Sequence, residues 1–244
     1  MPTVSMTAPD EPGPSGKPAL LAADRLSRSY RLGAALVPAL RDLSLEVGVG
    51  EFVAIQGPSG SGKTTLLNLL GLLDRPDSGT IAIQGQDAGS LDENEQSDLR
   101  RDRFGFIFQT FNLIPVLSAA ENVAYPMALK GISREDQRER SRQLLESVGI
   151  PEKAAVRPDL LSGGQRQRVA IARALANGPA VVLADEPTAN LDSKTAEEIL
   201  DLMRSINSSR GVAFLFATHD PRVVSRARRV VSLQDGRIVS DERT

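Results

Sequence analysis

Eight residues, Gly57-Pro58-Ser59-Gly60-Ser61-Gly62-Lys63-Thr64, constrain this chain more than any others. Gly57 and Gly62 enclose four residues and are followed by a lysine and a hydroxyl residue, the pattern of a phosphate-binding loop. The flanks fit. Phe52-Val53-Ala54-Ile55 reads as a short buried strand, and Thr65-Leu66-Leu67-Asn68-Leu69-Leu70 as the start of a helix. Glycines let the backbone curl so that successive N–H groups face inward, and a helix N-terminus adds partial positive charge. Lys63 is placed to reach β- and γ-phosphates, and the Thr64 hydroxyl to ligate Mg²⁺. A chain with this element needs a parallel sheet to hold it and a nucleotide to fill it.

The remaining sequence is consistent with such a frame. At 244 residues and 41% hydrophobic, the chain can bury the core of one large α/β domain with a subdomain. A net charge of −2 and 4% aromatic residues argue against a broad basic surface for nucleic acid. The absence of cysteine excludes disulfides and thiolate metal sites. No apolar run approaches the roughly 20 residues of a membrane span, and no signal-peptide layout is present. The sequence therefore predicts a soluble, cytoplasmic protein.

Residues 1–18 carry five prolines among Gly, Ser and Thr, which predicts a disordered tail. Strands are expected over Leu20–Tyr30, Leu43–Val47, Thr80–Ile83 and Phe104–Phe108. Leu66–Leu73 is apolar nearly all round, as in a helix buried beneath a sheet. Asp92–Arg103 is charged and compatible with a helix. Strand signals then stop. Ser118–Lys130 and Ser133–Val148 read as helices, the second with a Ser133/Asp136 capping box, so that about 110–162 forms a helical insertion. Ala180–Ala184 and Val212–Ala217 are continuously apolar, as central parallel strands are, and between them a helix runs from Ser193 to Asn207, capped by Asp192. Asp235-Gly236 is a hairpin turn between Val230–Ser232 and Ile238–Val239. No internal repeat is present.

In open α/β sheets ligands collect at the carboxyl ends of the strands. The loop, Gln109, Asp185, Glu186 and His219 each follow an apolar strand and so share that address. Asp185 can bind Mg²⁺ or its water shell, and Glu186 is placed to take a proton from an attacking water. His219 is the single histidine. Tyr30, after the first strand, is either core or a platform for a purine base. Leu161-Ser162-Gly163-Gly164-Gln165 opens a helix from about Val169 to Ala176 and offers a second anion-binding end without a lysine. Sequence physics alone leaves open whether it meets the same nucleotide or another molecule's.

The ordered set of Tyr30, GPSGSGKT (57–64), Gln109, LSGGQ (161–165), VVLADE (181–186), Ala189-Asn190-Leu191-Asp192 and His219 resembles an ABC-type ATPase subunit across nearly all of 19–244. The resemblance implies a phosphate-loop NTPase of α/β class: a RecA-like core with an antiparallel β subdomain and an α-helical subdomain. It implies ATP and Mg²⁺ as ligands, and two copies arranged head to tail around two ATP molecules. By position, Tyr30 stacks on adenine, while Gly57, Pro58, Ser59, Gly60, Ser61, Gly62, Lys63, Thr64 and Thr65 bind the phosphates. Thr64, Gln109 and Asp185 serve the metal, Glu186 polarises water and His219 contacts the γ-phosphate. Ser162, Gly163, Gly164 and Gln165 close over the partner copy's ATP, and Asp192 crosses the dimer interface.

Within the family, LLGLLDRPDSG (69–79) and FGFIFQTFNLIPVLSAAENV (104–123) resemble the lipoprotein-release, macrolide-export and cell-division branch. That branch pairs with four-span membrane proteins bearing large extracytoplasmic domains, which implies peripheral attachment to the inner face of the membrane through a permease. Ala189 departs from the glycine frequent there. Phe111, Leu113, Ile114 and Pro115 are the candidate docking residues. The rival class is the non-transport ATPase of cluster assembly. A GTPase is disfavoured, because no Asn-Lys-x-Asp element is present.

Overall fold

A computed structural model describes residues 19–33 and 35–243, so the predicted tail over 1–18 lies outside the described residues. In chain order the strands and α-helices are β1 (Leu21–Leu32), β2 (Ala35–Val47), β3 (Phe52–Gln56), α1 (Lys63–Leu70), β4 (Ser78–Ile83), β5 (Gln86–Asp87), α2 (Glu93–Arg103), β6 (Phe104–Ile107), α3 (Ala119–Leu129) and α4 (Arg134–Ser147). They continue with α5 (Gly163–Ala174), β7 (Val181–Asp185), α6 (Ser193–Arg210), β8 (Ala213–Thr218), α7 (Pro221–Arg226), β9 (Arg229–Gln234) and β10 (Arg237–Arg243).

Two sheets form. The larger has the order β10-β9-β3-β8-β7-β6, parallel throughout except at β10, and the smaller is antiparallel with the order β2-β1-β4-β5. β3, β7 and β8 are the continuously apolar strands, and burial on both faces is what selects such a sequence. Alternate residues on them feed two cores. Val53, Ile55, Val181, Leu183 and Leu215 face one, while Phe52, Val182, Ala184, Phe214 and Phe216 face the other. The first core is shared with the leucines of α1 and the inward residues of the small sheet; the second with α3, α4, α5 and α6. Helix α1 is therefore sandwiched between two sheets, which explains apolar residues nearly all round it.

That helix is shorter than its apolar run. It ends at Leu70 because Leu72 turns left-handed (φ 56°) and Leu73 emerges half-exposed. The expected Ser133/Asp136 capping box is also only half formed. Ser133 Oγ accepts from the Asp136 N–H and donates to its carboxylate, leaving the Ser133 N–H outside the box. The Asp136 carboxylate is turned to the Ser133 hydroxyl instead. Full boxes close where the third residue is longer: Asp92/Glu95, Ser118/Glu121 and Ser162/Gln165. Between β6 and α5 the described chain forms helices and no strand.

Candidate active site

The register of the large sheet gathers the polar strand ends. Gln56 lies level with Thr218, Asp185 with Ala217, and Ile107 with Ala184. The chain leaves β3, β7 and β8 at one edge, and this edge borders a cleft of about 620 Å³, a size suited to a nucleotide. Ala39, Ser59, Gly60, Gly62, Lys63, Thr64, Thr65, Gln109, Glu186 and His219 line it.

The loop reaches the cleft through a run of small and glycine residues, with Lys63 and Thr64 at its end. Gly62 is the N-cap of α1 in a left-handed conformation (φ 105°), and no side chain caps the helix. A Cβ at this position would sit 2.5 Å from the Ala39 carbonyl oxygen and 2.8 Å from Leu40 Cδ2. Ala39 belongs to an irregularity in the β1–β2 ladder, so the small sheet presses directly on the loop. Lys63 folds back and donates to the carbonyl oxygens of Gly57 (2.8 Å) and Pro58 (2.9 Å). Its cation meets neutral carbonyls there, and an anion in the cleft would compete well for it.

Thr64 Oγ1 lies 3.2 and 3.1 Å from the two Asp185 oxygens. Burial and the neighbouring Glu186 charge push the Asp185 carboxyl above its usual range, against the opposing pull of Thr64 and Lys63. A hydroxyl and a half-buried carboxylate converging beside a phosphate loop fit Mg²⁺, which is held by one or two carboxylates plus substrate phosphates. Among the described residues no cluster of three acidic, His or Cys side chains forms a self-sufficient metal cage.

Glu186 adopts a left-handed backbone (φ 44°), uncommon for a glutamate, and its N–H donates to the Ala217 carbonyl. Its Oε1 lies 2.6 Å from His219 Nδ1 and its Oε2 accepts from Thr218 Oγ1 at 3.0 Å. The carboxylate assigns the His219 proton to Nδ1 and leaves Nε2 free. The Glu186 side chain is 14% exposed and that of His219 74%, so the ring is the movable partner.

Other expected residues lie elsewhere. Tyr30 does not line the cleft: its hydroxyl donates to Asp74 (2.7 Å), and the Arg28 guanidinium lies 5.0 Å over its ring. One ring face and the hydroxyl are thus engaged by the chain itself. Ser61 is buried beneath the loop. Ser162 to Gln165 do not line the cleft either; Ser162 accepts from the Gln165 N–H, and the Gln165 side chain accepts from the Ser162 N–H, closing the N-terminus of α5. Gly164 backs onto Thr195, where a Cβ would meet a methyl at 2.5 Å. Asp192 caps α6 through the Thr195 N–H.

Two connections had no advance signal. Asn190 Nδ2 donates to the Gln109 carbonyl at 2.7 Å, tying the segment after β7 to the one after β6. Arg173 of α5 donates to the carbonyls of Phe111 and Asn112, both left-handed, and Arg166 covers the Phe111 ring. Only spatial neighbours reveal such bonds, since the residues are 61 to 81 positions apart. The docking expectation needs correction on the same ground. Phe111 is buried and Leu113 packs on the second core, because both are needed to seat this turn. Of the four named residues only Ile114 lines the neighbouring apolar groove of about 460 Å³, with Leu73, Phe106, Phe108, Tyr125 and Leu129.

Comparison with known proteins agrees with this construction. The sequence profile described as ABC transporter matches residues 40–189. The macrolide export ATP-binding/permease proteins MacB of Rhodopseudomonas palustris (strain BisB18) and Syntrophobacter fumaroxidans are 49% and 50% identical over 90% and 86% of this chain. The chain spans about a third of their length: 33% and 30%. Two structures of the ATP-binding cassette MJ0796, both dimeric and one a post-hydrolysis state with ADP and Pi, are 42% identical with a TM-score of 0.85, covering 91% of this chain and 98% of theirs. The cbiO1 structure from Clostridium perfringens, part of the ABC transporter complex cbiONQ, is 28% identical with a TM-score of 0.83, covering 93% and 89%. A profile match over more than half of the chain, joined to relatives of this identity, establishes that the protein belongs to the ABC transporter family, as one of its ATPase domains.

Proposed function

We propose that this protein binds and hydrolyses ATP between two head-to-tail copies and uses the cycle to move a membrane permease of the macrolide-export and lipoprotein-release type. One observation carries the reading: Lys63, Thr64, Gln109, Glu186 and His219 meet on one cleft while Ser162 to Gln165 lie outside it. A signature element held away from its own chain's cleft is suited to a partner copy's nucleotide. The dimeric MJ0796 cassettes and the naming of the MacB relatives as ATP-binding/permease proteins support the dimer and the permease.

In this reading Gly57 to Thr65 cradle the phosphates, with Lys63 exchanging its loop carbonyls for phosphate oxygens. Thr64, Asp185 and Gln109 would hold Mg²⁺, which would neutralise charge on the phosphate oxygens. Tyr30, partly exposed and backed by Arg28, takes the adenine. His219 turns from Glu186 toward the γ-phosphate, freeing Glu186 Oε1 to accept a proton from water. Asn190 links Gln109 to the loop ending at Asp192, which crosses to the other copy. Residues 19–244 act as the ATPase unit, 110–162 as its helical subdomain, and the apolar groove beside it receives the permease. No helix among the described residues is long and apolar enough to cross a membrane, and the permease would supply the attachment to the inner face.

Glu186→Gln tests the chemistry. It should keep ATP affinity, lower turnover by more than about 100-fold, and elute as a dimer in ATP; turnover at the parent rate would remove Glu186 as the base. Leu129→Asp tests the groove. It should abolish co-purification with a membrane protein and spare basal ATPase, and continued capture of a permease would place the docking surface elsewhere.

A further inference from the structure

We propose that Thr218 is a positioning residue for Glu186: its hydroxyl fixes one carboxylate oxygen so that the other is the one offered to water. The inference rests on the reading of Glu186 as the base. Thr218 ends β8, is completely buried, and is paired in register with Gln56 of β3. Its hydroxyl has one proton to give and lone pairs to receive. It accepts from the Asp220 N–H at 3.0 Å, which orients the group and directs its own proton to Glu186 Oε2, 3.0 Å away.

The two Glu186 oxygens therefore have unlike partners. Oε2 is held by a hydroxyl locked in the core. Oε1 is held by His219, whose side chain is 74% exposed and free to swing. When the ring leaves, only Oε1 is released, and the plane of the carboxylate stays where Thr218 sets it. Without that bond a side chain with a rotatable terminal torsion would sample several orientations, and a misplaced base is a slow one. The anchor is itself braced. Asp220, which orients Thr218, accepts from the buried Thr188 hydroxyl (2.7 Å) and from the Arg222 side chain. Thr188 stands two residues before Asn190, so the brace reaches the segment that holds Gln109.

The test is steady-state ATPase and fluorescent ATP-analogue binding on the full chain. Thr218→Val keeps the shape and removes the donor; kcat should fall on the order of tenfold to a hundredfold while KM and analogue affinity stay within about twofold. Thr218→Ser should recover kcat to within about threefold, and Thr218→Ala should not. This Ser/Ala pair decides the matter if the valine variant folds poorly. In a Glu186→Gln background, Thr218→Val should cause no further loss. Wild-type kcat in Thr218→Val, or equal loss in the Ser and Ala variants, would overturn the proposal in favour of simple packing. Should Glu186→Gln alone hydrolyse ATP normally, the base assignment fails separately, whatever Thr218 does.

Discussion

Helices α1 and α5 both begin at glycine-bearing segments named by sequence motifs, yet their N-termini are finished in opposite ways. Gly62 caps α1 with a left-handed backbone and no side chain, so the end of the helix is open to a ligand. Ser162 caps α5 and shares a closed box with Gln165, so that end is satisfied by the chain itself. The first is shaped for an anion before one arrives. The second would have to exchange its internal hydrogen bonds for contacts from outside, which suits the role proposed for it at a partner copy's nucleotide. A third end, at α7, goes further: Asp220 places a full negative charge there, which binds Arg222 and would repel any phosphate.

The contrast can be broken by experiment. Gly62→Ala should have the largest effect, roughly 2–4 kcal/mol of stability together with loss of nucleotide binding, since the left-handed backbone and the Ala39 carbonyl both exclude a Cβ. A thermal melt with and without ATP would show it, and a variant that melts and binds normally would mean the open end is not pre-shaped. Lys63→Ala should next weaken ATP affinity by roughly 10- to 150-fold while leaving the fold intact, because only a charge-assisted bond is lost. Isothermal titration measures this. Ser162→Ala should cost about 1 kcal/mol of stability through the lost cap and leave nucleotide binding by the isolated protein unchanged. If it weakened that binding as Lys63→Ala does, the two ends would serve one cleft and the contrast would fail.

A pH-dependent effect concerns α7. Burial opposes ionisation of Asp220, but hydrogen bonds from Arg222 and Thr188 outweigh it and hold the carboxyl down at about 2. A carboxylate depressed in the folded state stabilises the protein above its unfolded pKa, near 3.8, and loses that contribution as pH falls toward 2. Denaturant melts of wild type and Asp220→Asn should thus differ at pH 6 and converge toward pH 2. A constant gap would assign the effect to shape and not to charge.

Legibility followed the range of the interactions. The glycine-rich loop was readable because its glycines set their own backbone and Lys63 folds onto the carbonyls of Gly57 and Pro58, all within eight residues. The paired strands β3, β7 and β8 were readable because burial on both faces leaves an unbroken apolar run. Helix caps were readable one step at a time, and Ser133/Asp136 closed only in part because the Asp136 carboxylate takes the Ser133 hydroxyl and not its N–H. The docking segment was misread in part because its apolar residues look alike in sequence. Phe111 is fixed inside by Arg166 and Arg173, whereas Ile114 is left on the groove.

By itself, then, the sequence determined the glycine-rich loop between strand and helix, the parallel core around it, and the family to which the set of motifs belongs. Each of these depends on local backbone conformation or on the period of burial, which a linear string records. Tertiary structure alone decided that Thr64 meets Asp185 across 121 positions, that Thr218 and His219 take different oxygens of Glu186, and that the Tyr30 hydroxyl meets Asp74 across 44 positions. It also decided that the signature glycines do not line the chain's own cleft. Those are consequences of how strands, helices and loops pack, and a one-residue shift between β7 and β8 would have separated Glu186 from its partners without altering a single motif.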